Sequence, residues 1–217
     1  MAVKKLPVYQ AMISPNKDSD LVVDCVAIVD APAIEKTFLA FKKEINLNFA
    51  INNTEERIVV GPAMIPDLLI YRNNQLGEHN VFFTKETVQE IAEKFYAMDY
   101  HKNANEMHDS SLMIDGFNFF MSFIRNSDKG MIGLAGDYPD GTWFLGAKVT
   151  DDTVWEKIKS GEYKGFSVEG LFQYKISEPP VMTDEQIATE VEALMESEEP
   201  DALDKIKALL FGTNSES

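Results

Sequence analysis

The 217-residue chain carries a formal net charge of −16 and 45% hydrophobic residues, enough apolar material for one core of about 150 to 180 residues plus a tail. That excess of acid argues against nucleic acid and anionic membrane as primary partners, because both are bound through clusters of Lys and Arg. The single cysteine, Cys25, excludes an intrachain disulfide and a Cys-based zinc site; with no apolar run near the ~18 residues of a membrane span and no long apolar stretch after Met1, a soluble intracellular protein is expected.

Residues 8–13 and 20–30 read as two short strands separated by a polar turn, with Cys25 a buried, inert thiol in the second. Ala31 to Phe41 reads as a short helix or arm, and the asparagine-rich stretch 42–56 as a polar connection. Residues 57–66 form an apolar strand closed by prolines. Leu68 to Arg72 and Asn80 to Phe83 are strands around a turn at Asn73 to Gly77. Thr84 caps an amphipathic helix that runs to about Met98, with Val88, Ile91, Ala92 and Phe95 on one face. Asn105 to Asp109 looks extended and contains His108. Leu112 to Arg125 reads as one long strand, bulged near Gly116, followed by a loop from Asn126 to Gly141. Alternation at Trp143, Leu145, Ala147 and Val149 marks another half-buried strand. A short helix capped by Thr150 or Asp152 follows and stops at Gly161.

From Gly165 the chain alternates again. Phe166, Val168, Phe172, Tyr174 and Ile176 fall on one side, and Ser167, Glu169, Leu171, Gln173 and Lys175 on the other. Ser167 therefore points away from the core face. Beyond Pro179-Pro180 the character changes. From Ser177 to Ser217 there are eleven acidic residues against two lysines, so over half of the net charge sits there, on two acidic helices at Thr183–Ser197 and Pro200–Phe211. Three segments are expected: N-terminal strands and connecting arm at 1–56, a core at 57–177 onto which they can pack, and an acidic helical tail at 178–217. The body reads as mainly β with peripheral helices, a β-barrel or curled sheet.

A serine hydrolase needs a hydroxyl, a base to take its proton and a group to orient the base. Among three histidines, His79 lies in a turn and reads as a solvated loop imidazole, and His101 follows a helix end in a polar loop and reads as non-functional. His108, at the end of its extended piece, is the candidate base for Ser167. Glu169 shares a strand face with Ser167, their side chains roughly 7 Å apart at two strand rises, and is the first choice for the orienting acid. Asp109, Asp115 and Glu106 are alternatives. An oxyanion donor would be backbone N–H or a basic side chain such as Lys175. The segment is not a Gly-x-Ser-x-Gly elbow, since Glu169 occupies the second glycine position. His101, Glu106, His108 and Asp109 are close in sequence but match no metal-binding spacing. The loop from Gly130 to Gly141 lacks a phosphate-cradle signature. No cofactor is expected.

The run from Val149 through Trp155 and Gly161 to Gly165-Phe166-Ser167-Val168-Glu169-Gly170 resembles the phage prohead (capsid-maturation) serine proteases. So do Met107-His108-Asp109 and the strand Val60-Gly61-Pro62-Ala63-Met64-Ile65-Pro66. The resemblance spans about residues 57–176. It implies an α+β fold, a mainly antiparallel β-barrel of the herpesvirus-protease type with peripheral helices. It also implies Ser167 as nucleophile and His108 as base. Herpesvirus relatives place a second His after the serine; this chain has no His beyond 108, so an acid takes that role or a dyad operates. The implied activity is endoproteolysis of scaffold and major capsid protein segments, and of the chain itself, inside the immature capsid in the host cytoplasm. Homo-oligomerisation is compatible with it. The alternative from a different class is a non-catalytic scaffold or internal capsid protein that keeps the fold.

Overall fold

The computed structural model describes residues 6–30, 50–132 and 138–181 apart from 17, 54, 55 and 116, together with the four helical residues Val191, Met195, Leu203 and Ile206. The expected helix or arm at 31–41 and the remainder of the acidic tail lie outside the described residues. Within them, the strands are β1 Val8–Met12, β2 Val23–Val29, β3 Ala50–Asn53, β4 Ile58–Met64, β5 Ile70–Asn74 and β6 Gly77–Phe82. Helix α1 Lys85–Ala97 comes next, then β7 Ala104–Glu106, β8 Asp109–Met113, β9 Phe117–Ile124 and β10 Trp143–Val149. Helix α2 Asp152–Lys159 leads into β11 Gly165–Gly170 and β12 Gln173–Ile176.

The strands form three four-stranded sheets, ordered β12-β1-β6-β5, β3-β4-β10-β9 and β11-β2-β7-β8. The architecture is mixed α+β and strand-rich; among the described residues the sheets do not close into the expected barrel. Thr84 caps α1 by accepting from the Thr87 N–H at 3.3 Å, which satisfies one orphan donor of the first turn. Val88, Ile91 and Phe95 then enter the main core. Phe95 meets Trp143 edge-on at 5.5 Å and Phe119 at 6.2 Å, and Phe119 meets Phe166 at 5.5 Å. This aromatic chain fastens β11 from beneath, through the residue just before Ser167.

Four expectations change. Residues 112–125 are not one strand: β8 and β9 belong to different sheets. The alternation from Gly165 to Ile176 is also broken after Gly170, and β12 crosses to the sheet of β1, leaving Tyr174 and Ile176 exposed rather than in the core. The α2 cap is Asp151, which accepts from the Val154 N–H at 2.9 Å, rather than Thr150 or Asp152. The polar stretch 42–56 contributes β3, paired antiparallel to β4.

Candidate active site

The sheet β11-β2-β7-β8 gathers the residues with chemical potential. In β11, Ser167 pairs with Ala27 and Glu169 with Cys25; in β7, Asn105 pairs with Ala27 from the other side. Paired residues project from the same face, so Ser167, Ala27 and Asn105 form one row across the sheet and Glu169 stands beside it. Phe166 and Ile28 take the opposite face, in the core.

His108 is not in an extended piece. Glu106 pairs with Asp109, and the two residues between them, Met107 and His108, have φ of 55° and 61°. This is a two-residue hairpin turn with both central residues in the left-handed region, the pattern of type I′. The turn is anchored by the Met107 N–H, which donates to Ile28 O at 3.0 Å, and the His108 ring reaches back over the sheet. Its Nδ1 lies 3.2 Å from Glu169 Oε1, with the two side chains 42% and 26% exposed. The same Oε1 accepts from Asn105 Nδ2 at 2.6 Å. Glu169 starts on β11 and its carboxylate reaches β7, so its side chain spans the width of β2. Ala27, fully buried and only a methyl group in bulk, leaves that path open.

Ser167 is 5% exposed. It and the His108 ring are not hydrogen-bonded to each other, and the polar contacts of the His108 ring among the described residues are those with Glu169. Gly170 ends the strand at a register shift against Val23. A Cβ there would stand 2.2 Å from Val22 O and 2.8 Å from Val23 Cα, so no side chain fits where β11 meets β2.

The alternative acids have other partners or positions. Asp109 accepts from both the N–H (2.8 Å) and the hydroxyl (2.6 Å) of Ser111, which holds its carboxyl below the usual range. Asp115 lies exposed in the turn after β8. Glu106 is bound to α2 and the segment after it: Lys157 Nζ donates to its Oε2 at 2.6 Å, and the Tyr163 hydroxyl donates to the same oxygen. Burial pushes Glu106 up, but the hydrogen bonds from Lys157 and Tyr163 outweigh it and leave the carboxyl below its ordinary range. Lys175 stands on β12, in another sheet, and is no neighbour of Ser167 by strand order.

The remaining nucleophile and imidazoles also find definite places. Cys25 is pushed up to about 12 by burial, with the charges of Glu169 and Asp24 adding to the shift; its thiol donates to Asn103 O at 3.5 Å. His79 is not a solvated loop residue. It is fully buried in β6, with Nδ1 2.8 Å from Gly77 O and its ring edge-on to Tyr9. His101 stacks on Tyr96 at 5.6 Å, away from solvent on that face. Sequence reasoning missed Asn105, because an asparagine in a short strand carries no pattern of its own. Its register opposite Ala27 is a property of the folded sheet alone.

A family model described as "Putative phage serine protease XkdF" matches residues 46–175. Among curated relatives, the phage-like element PBSX protein XkdF of Bacillus subtilis (strain 168) is 25% identical over 165 residues, covering 72% of this chain and 55% of the relative. The uncharacterized protein YqbD of the same organism is 26% identical over 152 residues, covering 67% of this chain and 43% of the relative. The chain thus spans about half the length of the curated relatives it matches. No solved structure matches it.

Proposed function

Because the chain belongs to the phage serine protease XkdF family, we propose that it is a serine endopeptidase with Ser167 as nucleophile, His108 as general base and Glu169 as the orienting acid. The observation that carries this reading is the 3.2 Å contact between His108 Nδ1 and Glu169 Oε1, on the sheet that also presents Ser167. A carboxylate at Nδ1 favours the tautomer with its proton there and leaves Nε2 as the basic nitrogen. In the proposed reaction, Ser167 Oγ attacks the scissile carbonyl carbon while His108 Nε2 takes the hydroxyl proton. The imidazolium, stabilised by Glu169, then gives that proton to the leaving amine. Water, activated by the same nitrogen, hydrolyses the acyl-enzyme and restores Ser167. The positive charge on the ring is transient and needs the carboxylate close by.

The proposed substrates are segments of the scaffold and major capsid proteins inside the immature phage capsid, assembled in the host cytoplasm. The chain's own acidic tail is a third. Co-expression with those two proteins tests the reading: wild type is expected to give discrete fragments that Ser167→Ala does not. Identical fragment patterns from both would remove Ser167 from the mechanism. A second reading, a non-catalytic capsid component that keeps the fold, is favoured by one observation, the missing Ser167–His108 hydrogen bond. Catalytic hydrogen bonds are often loose without substrate, so fragment production decides between the two.

A further inference from the structure

We propose that Asn105 is a positioning residue for the His108–Glu169 pair, holding the carboxylate where the imidazole can use it. This deepens the endopeptidase reading and rests on it for its catalytic consequence.

Three observations carry the inference. The Asn105 amide donates to Glu169 Oε1 at 2.6 Å, and that same oxygen is the one 3.2 Å from His108 Nδ1. Asn105 is 1% exposed, so water does not substitute for its donor. Its Oδ1 is also buried and without a hydrogen-bond partner among the described residues. A buried acceptor left unmade costs free energy, and a side chain kept for packing alone would be better served by an apolar residue of similar size. Finally, Asn105 is two strands from Ser167 along the row through Ala27, so the carboxylate it holds lies between the base and the nucleophile's strand.

The chemistry requires an amide in particular. Glu169 reaches over β2 on a flexible stem with three rotatable torsions, and a carboxylate at the end of such a stem samples many positions. A donor on β7 fixes one of them, without the charge that a lysine would bring. A positive charge there would compete with the imidazolium for the carboxylate and weaken the base.

The test is the tautomer of His108, read by two-dimensional proton–nitrogen NMR of the neutral imidazole, together with kcat and KM on a capsid-protein peptide. The variants are Asn105→Ala and the isosteric Asn105→Asp, each first checked by thermal melting. In the wild type the neutral ring is expected to hold its proton on Nδ1. In either folded variant it shifts toward the Nε2–H form usual for free histidine, and kcat falls about 10²-fold with KM nearly unchanged, the size expected for a displaced catalytic group. An unchanged tautomer in a folded variant overturns the proposal. So does a loss of activity that tracks only the folded fraction. The NMR readout does not depend on proteolysis: a wild type that cuts nothing, yet shows the Nδ1–H ring and loses it on substitution, refutes the endopeptidase reading while the positioning role stands.

Discussion

Lys157 Nζ lies 2.6 Å from Glu106 Oε2, joining the helix that leads into the Ser167 strand to the strand that leads into the His108 turn. The Tyr163 hydroxyl contacts both members of the pair. The strands that carry Ser167 and His108 are thus tied by a link outside the candidate site. Lys157→Met is expected to lower stability by about 1–2 kcal/mol, the worth of a hydrogen-bonded ion pair discounted for its partial exposure. Urea denaturation measures it; an unchanged midpoint would show that the link contributes nothing.

The same link predicts a dependence on acid. The Glu106 carboxyl titrates below its ordinary value in the folded chain, so its contribution is present above the unfolded value, about 4.3. It fades as the pH drops through the lower folded value. The stability gap between wild type and Glu106→Gln should therefore be full at pH 6–7 and narrow toward pH 3. A gap constant across that range would contradict the assignment.

Gly170→Ala tests the close approach of β11 to β2. The added methyl meets backbone atoms of Val22 and Val23, which cannot rotate away as a side chain would. A loss of about 1–3 kcal/mol is expected. Glu169, one residue upstream, would be displaced with the strand, so kcat should fall even in the folded fraction. Normal specific activity in the surviving folded protein would show that the register tolerates the shift.

Cys25 should be unreactive. With its thiol pushed up to about 12, alkylation by iodoacetamide at pH 8 is expected to be about 10³-fold slower in the native chain than in urea, since only the thiolate reacts. Comparable rates in both states would mean that the thiol is not held in this environment.

Met107→Asn should stabilise the hairpin by about 0.5–1 kcal/mol, because asparagine bears the left-handed conformation at lower cost than methionine. His108→Asn should stabilise it similarly and abolish the proposed cleavage. A destabilised Met107→Asn would indicate that the contact of the methionine sulfur with the Asp30 N–H, at 3.4 Å, outweighs the backbone term.

The elements with strong periodicity were legible in the sequence. The stripe of Val88, Ile91 and Phe95 and the run at Trp143–Val149 each correspond to an observed element, although the second, flanked by β4 and β9, is buried on both faces except at Lys148 and is not the half-buried strand its alternation suggested. The pairing of Glu169 with His108 was approachable, since alternate residues of a strand share a face. What failed were the places where one apolar run serves two sheets. Residues 112–125 read as one apolar run and 165–176 keep their alternation across a break, and only strand order reveals the crossing in each. His79 was misread because a polar residue beside a turn looks solvated, although the return strand carries it beneath Tyr9. The turn at Met107-His108 was unreadable for the opposite reason: neither residue is a usual former of it.

The order of assembly follows from β2 standing between β11 and β7. As the chain leaves the ribosome, residues 23–29 and 104–108 can pair while the segment that supplies both Ser167 and Glu169 is still unmade. His108 then waits without Glu169 or Ser167 for some sixty further residues of synthesis. A nascent chain built in this way cannot bring Glu169 to the His108 turn until the last strand of that sheet is laid down.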